Sequence, residues 1–184
     1  MANVRNRLSK EKWLEKSLEV LVLEGDRKLT IDHLVKAMGV TKGSFYWHFK
    51  NRADFITSLV CYWVEEYTLS LTSQIKAEFP DANKRLLALL KRLTETNHAR
   101  YDFAVLYWGQ YEPAAKAMVQ EAMDFRLNYI RSIFKELGFK GDELEMRVQT
   151  VVTFQTMELH DYNNLTKEER LRHVKLRHRM LTRK

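Results

Sequence analysis

The run Thr41-Lys42-Gly43-Ser44-Phe45-Tyr46-Trp47-His48-Phe49-Lys50 gathers side chains suited to one kind of chemistry, the recognition of a polyanion. Lys42 and Lys50 bring cations, and Thr41 and Ser44 bring hydroxyls. Tyr46, Trp47 and His48 bring hydrogen-bonding tips on flat bodies. Gly43 has no side chain, so a helix built here can sit close to a groove floor. Free backbone N–H groups at a helix start add to the attraction for phosphate. Phe45 and Phe49 are one helical turn apart and form the expected buried side.

Other chemistries find little support. His173 and His178 are five apart and share no helix face for a metal. His160 and Asp161 are adjacent and diverge on a helix, and no spacing groups His98, Arg100, Asp102 and Glu112. Cys61 lies in an apolar run beside Val60, which predicts burial rather than nucleophilic use. HExxH, CxxC, P-loop and GxSxG sequences are absent. The expectation is a protein with no catalytic residues, metal or cofactor, and not an enzyme.

The elements that must position the basic-aromatic run are short helices. Ser9 caps a first helix to about Glu24, with Leu14, Leu18 and Leu21 at helical spacing and Gly25 after its end. Thr30 caps a second, with Ile31, Leu34, Val35 and Met38 on one face. Gly39 then makes a turn that needs positive φ, and Thr41 opens the third helix, to Phe49. Val40 and Phe45 are expected to lock that helix against Leu34 and Met38. Two short helices joined through a glycine turn form a helix-turn-helix. Asn51 is placed to cap a fourth helix, which runs on through Ile56, Leu59, Val60 and Trp63.

Composition agrees. Only 2 prolines and 6 glycines occur in 184 residues, which favours an all-α fold over a turn-rich β fold. A single cysteine excludes an intrachain disulfide. No apolar run is long enough to span a membrane, and MANVRNRLSKEKW lacks a signal-peptide core, so a cytoplasmic protein is expected. Charge is uneven: residues 1–52 carry a net +5, 53–165 a net −4, and 166–184 a net +6. A basic N-terminal module favours a polyanionic partner such as nucleic acid, double-stranded DNA here, through counterion release, with solvated basic ends as the alternative.

Residues 41–55 resemble the signature of the tetracycline-repressor (TetR) family of transcriptional regulators, with Tyr46, His48, Phe49 and Lys50 in register. Val35 departs from the pattern, where a small residue is usual, as does Asn51-Arg52-Ala53, where a Lys-Glu pair is common. The resemblance implies that Lys42, Gly43, Ser44 and Tyr46 face base edges or nearby phosphates. It implies that Thr30, Thr41, Trp47, His48 and Lys50 anchor the DNA backbone. It also implies a larger helical domain, residues 53–184 after a DNA-binding domain 1–52, that dimerises and is controlled by a ligand. The function implied is repression from a palindromic operator bound by a homodimer and released by a small ligand. A helical ligand- or protein-binding module without DNA-binding activity is the alternative.

In that second part helices are expected over about 53–78, 82–99, 113–137 and 142–162, with breaks at Pro80, at Gly109 and Pro113, and at Gly138 and Gly141. Two apolar stripes on 113–137, one through Met118 and Phe125 and one through Val119 and Phe134, call for burial on more than one side. This helix and 142–162 are the expected dimer contacts. Trp63, Tyr67, Phe103, Tyr107, Trp108, Tyr111 and Phe125 are the aromatic candidates for a pocket that takes an apolar or aromatic effector. Thr166-Lys167-Glu168-Glu169 reads as a capping box that opens a basic last helix, expected to pack on the body.

Overall fold

A computed structural model describes residues 8–96, 99–157 and 165–183, and its regular structure is helical throughout. The order is α1 (Lys10–Glu24), α2 (Ile31–Ala37), α3 (Lys42–His48), α4 (Arg52–Val64), a π-helical turn (Glu65–Leu69), and α5 (Ser70–Glu78). Then come α6 (Ala82–Glu95), α7 (Ala99–Tyr111), α8 (Pro113–Glu136), α9 (Gly141–Met157) and α10 (Lys167–Thr182). His98, His160, Asp161 and the end of the helix expected over 142–162 lie outside the described residues.

Two compact units make up the chain. The first runs to Trp63 and takes in Ala104–Val119; the second comprises Val64–Phe103 and the chain from Gln120 onward. The first unit thus extends beyond Arg52, where the sequence places the boundary. The reason lies in α4, whose Phe55, Ile56, Leu59, Val60 and Trp63 are buried residues of that unit. Cys61 falls between them in sequence but about 200° around the helix from Leu59. It is therefore exposed, contrary to the expectation drawn from its neighbours.

Local chemistry sets the helix ends of the first unit. The Lys12 N–H donates to Ser9 Oγ (3.3 Å) and the His33 N–H to Thr30 Oγ1 (3.3 Å), both N-caps. Gly39 turns the chain at φ +64°, and the Val40 N–H closes onto the Val35 carbonyl (3.0 Å). Gly109, expected to break a helix, instead lies inside α7. A Cβ there would stand 2.9 Å from Val119 Cγ2, so the glycine lets α7 and α8 approach closely. Pro113 does start a helix, at the first position of α8, where its missing N–H costs nothing.

The core of the second unit draws on α5, α6, α8, α9 and α10, through Ile75, Leu86, Leu90, Ile133, Phe134, Val148, Val151 and Val174. α8 turns both expected stripes inward at many positions, with Val119, Ala122, Ile130, Ile133 and Phe134 buried. The helix expected over 53–78 is interrupted by the π turn. Such a turn leaves carbonyls outside the regular ladder, and Arg126 Nη2 donates to that of Tyr67 (3.4 Å). The last helix has its capping box, Thr166 and Glu169 bonding each other reciprocally. α10 packs on α6 and buries Val174 and Leu181. Arg147 fastens its end, donating to the carbonyls of Leu181 (2.9 Å) and Arg183 (3.0 Å).

His178 on α10 is buried, and its Nε2–H donates to the Asn83 carbonyl of α6 (3.0 Å). Burial pushes its pKa below the ordinary histidine value, against the raising effect of that hydrogen bond. A histidine with a lowered folded pKa contributes stability fully present above the unfolded value of about 6.5. That contribution is lost as pH falls from there through the folded value. His178→Gln keeps a donor for Asn83 and removes the titration. Thermal midpoints measured from pH 7.5 to 5 are expected to fall more steeply for the parent chain than for this variant.

Candidate nucleic-acid interface and ligand cavity

α3 has two unlike sides. Phe45 is fully buried against Trp13 (ring centroids 5.6 Å), Phe49 (5.0 Å) and Phe55 (5.4 Å). Tyr46 and Trp47 are 55% and 69% exposed. A single helix turn thus buries one ring and leaves the next two on the surface, which the apolar core does not require. Thr41, Lys42, Gly43 and Lys50 are exposed, and Ser44 is half-buried. A Cβ at Gly43 would meet only Thr41 Oγ1, at 3.6 Å, an ordinary contact, so folding does not demand glycine at this surface position.

The polar groups differ in how they are held. Thr30 caps α2, and Thr41 starts α3 in extended conformation without a side-chain cap bond. Lys42 Nζ lies 2.6 Å from Asp32 Oδ1 of α2, a partner that the sequence did not single out. His48 is half-buried, and its Nε2 hydrogen-bonds the Leu8 carbonyl (2.8 Å), so it ties the chain entering α1 to the end of α3. The expected backbone-anchoring role of His48 therefore has an internal partner to compete with. The Lys50 N–H donates to Asp54 Oδ2 (2.8 Å), and the Asp54 N–H to Asn51 Oδ1 (2.9 Å), which fixes the turn into α4. Arg52 is paired with Glu112 (2.7 Å).

This arrangement, an outward aromatic-basic helix held by an aromatic core behind a positive-φ glycine turn, coincides with a known family pattern. The model of bacterial regulatory proteins of the tetR family matches residues 14–59, from α1 into α4. The chain belongs to the tetR family. It is similar to the HTH-type transcriptional regulator SrpR of Pseudomonas putida, 23% identical over 147 residues that cover 78% of this chain and 68% of SrpR. It is also similar to the probable acrEF/envCD operon repressor of Escherichia coli K12, 20% identical over 157 residues covering 78% and 70%. Among solved structures, the ketosteroid transcriptional regulator KstR2 of Mycobacterium tuberculosis shares the fold, with TM-score 0.73, 13% identity, and coverage of 98% and 95%. This tetR-family chain is a DNA-binding transcriptional regulator, and its relatives are regulators rather than enzymes. Among the described residues no helix is long and apolar enough to cross a membrane, and no group of metal-ligating side chains is assembled.

The aromatic pocket candidates are dispersed. Trp63 and Trp108 are buried, while Phe103, Tyr107, Tyr111 and Phe125 are 41–67% exposed. Of the seven, Tyr67 lines one cavity within the second unit, which has about 50 Å³ of free space. Its apolar lining includes Leu71, Leu89, Met123, Ile130 and Val151, and its polar lining includes Thr68, Thr72, Asp102 and Arg126. Arg126 binds Asp102 through both terminal nitrogens (2.9 and 3.0 Å), and its Nε and Nη2 donate to Thr68 Oγ1 (2.9 and 2.7 Å). Burial raises the Tyr129 phenol pKa, and its hydroxyl donates to the Thr72 carbonyl (3.3 Å). Asp102 was legible as an ionisable residue; its pairing with Arg126, 24 positions away, was not.

Proposed function

We propose that this chain is a repressor that binds a two-fold symmetric operator as a homodimer, with α3 in the major groove, and is released by a small ligand. One observation carries the DNA-facing part: Tyr46 and Trp47 stand exposed on α3 while the adjacent Phe45 holds the helix in place. Lys42, Gly43, Ser44 and Tyr46 read base edges or nearby phosphates, and Thr30, Thr41, Trp47 and Lys50 position the backbone. Two-fold pairing of helices supplies two half-sites. In the second unit, α8 spends most of its apolar arc internally, whereas Met146 on α9 and Met180 on α10 are 60% and 77% exposed. The surplus apolar surface therefore favours α9 with α10, rather than α8 with α9, as the dimer contact. The cavity beside Tyr67 is the effector site. A ligand-sized occupant must widen it, and a ligand that binds only the widened form shifts the population away from the DNA-binding one.

The experiment is selection of bound duplexes from a random pool, followed by titration of the selected duplex at two salt concentrations. The expected stoichiometry is two chains per duplex. Tyr46→Ala and Lys50→Ala are each expected to weaken binding by about tenfold or more, with Lys50→Ala also flattening the salt dependence. Unchanged affinity in both variants would sink this function and leave a ligand- or protein-binding module.

A further inference from the structure

We propose that Asp32 is a specificity-determining residue: it holds the Lys42 ammonium away from the DNA backbone, so that Lys42 is released only where a target offers better acceptors. This presupposes the proposed function, in which α3 faces DNA. Lys42 opens α3 and Asp32 lies in the first turn of α2, so their 2.6 Å contact bridges the two helices of the helix-turn-helix. Both side chains are largely exposed, at 61% and 76%. The hydrogen bond to Asp32 is the main cause that holds the Lys42 pKa above its ordinary value, with a smaller contribution from nearby Tyr46. An acid in the first turn of a helix also favours that helix through its dipole. That role needs no lysine partner; the contact with a DNA-facing cation is what calls for a second explanation.

An exposed ion pair is weak, so DNA can exchange it. On a duplex of arbitrary sequence, Lys42 gains a phosphate but gives up Asp32 and leaves a carboxylate beside the polyanion. Most of the counterion-release gain is then cancelled. Where a guanine presents O6 and N7, two acceptors replace the one carboxylate oxygen, and the exchange is favourable. Asp32 thus weakens sequence-independent binding more than binding to the target.

The test is a double-mutant cycle in the full chain with Asp32→Asn, Lys42→Ala and the double variant. Each is titrated against the selected duplex and a random-sequence duplex of equal length, at about 50 and 200 mM salt. Asp32→Asn is expected to tighten random-duplex binding by about 3-fold at low salt and to steepen its salt slope by about 0.9 per recognition helix, the size of one added phosphate contact. Affinity for the selected duplex should change less, so the ratio of the two falls. In the Lys42→Ala background the same substitution should change neither. Asp32→Ser is a second neutral variant that keeps a first-turn acceptor for α2, and it should behave alike. An equal gain with and without Lys42 means general charge repulsion and overturns the proposal, as does an unchanged ratio or a loss of binding to both duplexes. If Tyr46→Ala and Lys50→Ala leave DNA binding intact, the placement of α3 fails together with this inference. If they weaken binding while the cycle shows no coupling, this inference alone fails.

Discussion

Phe45→Ala is expected to destabilise the first unit by about 3–5 kcal/mol and to abolish DNA binding, while the neighbouring Tyr46→Ala changes stability by no more than about 0.5 kcal/mol. Phe45 is fully buried, and its ring lies within 5.6 Å of those of Trp13, Phe49 and Phe55, largely edge to face. Removing it opens a cavity among three rigid rings that cannot collapse into it, and it also removes the aromatic pair energies. α3 has only seven residues, too few to persist without tertiary packing, so it depends on this cluster. Denaturant unfolding followed by near-ultraviolet dichroism, with DNA titration alongside, separates the two variants. Phe45→Ala should lose both signals, and Tyr46→Ala only DNA binding. Retention of a native unfolding midpoint by Phe45→Ala would mean that α3 is held by something other than the rings.

The contrast between these adjacent residues was legible because it depends on local rules. Ser9, Thr30 and Thr166 sit where a helix needs an acceptor, and Gly39 where a chain needs positive φ. Spacing of one turn between Phe45 and Phe49 marks the inner face of α3 whatever surrounds it. Helix periodicity also marked most of α8 and the packing of α10. The contacts that tie separate helices together were not legible. His48 meets a carbonyl 40 positions earlier, and Arg126 meets Thr68 at 58 and Asp102 at 24 positions. Such partners depend on how helices cross, and that depends on the summed packing of many side chains rather than on a local pattern.

The misplacements have the same origin. Gly109 carries the sequence sign of a break, yet its missing side chain serves a close approach to Val119 that only the folded chain reveals. Aromatic residues of α7 looked alike in sequence. Helical phase buries Trp108 and exposes Tyr107 and Tyr111. Beside Tyr67, the cavity draws on residues outside those aromatic candidates, Thr68, Thr72 and Arg126 among them.

That arginine carries the second large effect. Arg126→Met is expected to cost about 3–5 kcal/mol, because it removes the guanidinium that pairs with the buried Asp102 carboxylate. The two side chains are 15% and 7% exposed, so water screens them little. Asp102→Leu added to Arg126→Met should recover most of the loss, since an apolar pair avoids the desolvation of both ions. Arg126 also grips Thr68 and the Tyr67 carbonyl at the π turn, contacts that the double variant does not restore. Recovery should therefore be large but incomplete, and the shortfall measures how much the guanidinium stabilises the π turn. Urea unfolding of the parent, both single variants and the double variant gives the coupling directly. A single-variant loss below about 1 kcal/mol would place the pair with ordinary surface bridges. The same four chains test the effector site. A double variant that folds, binds the selected duplex and no longer responds to a releasing compound would place the compound against Asp102 and Arg126 of the lining. Continued response would place it against the apolar lining residues.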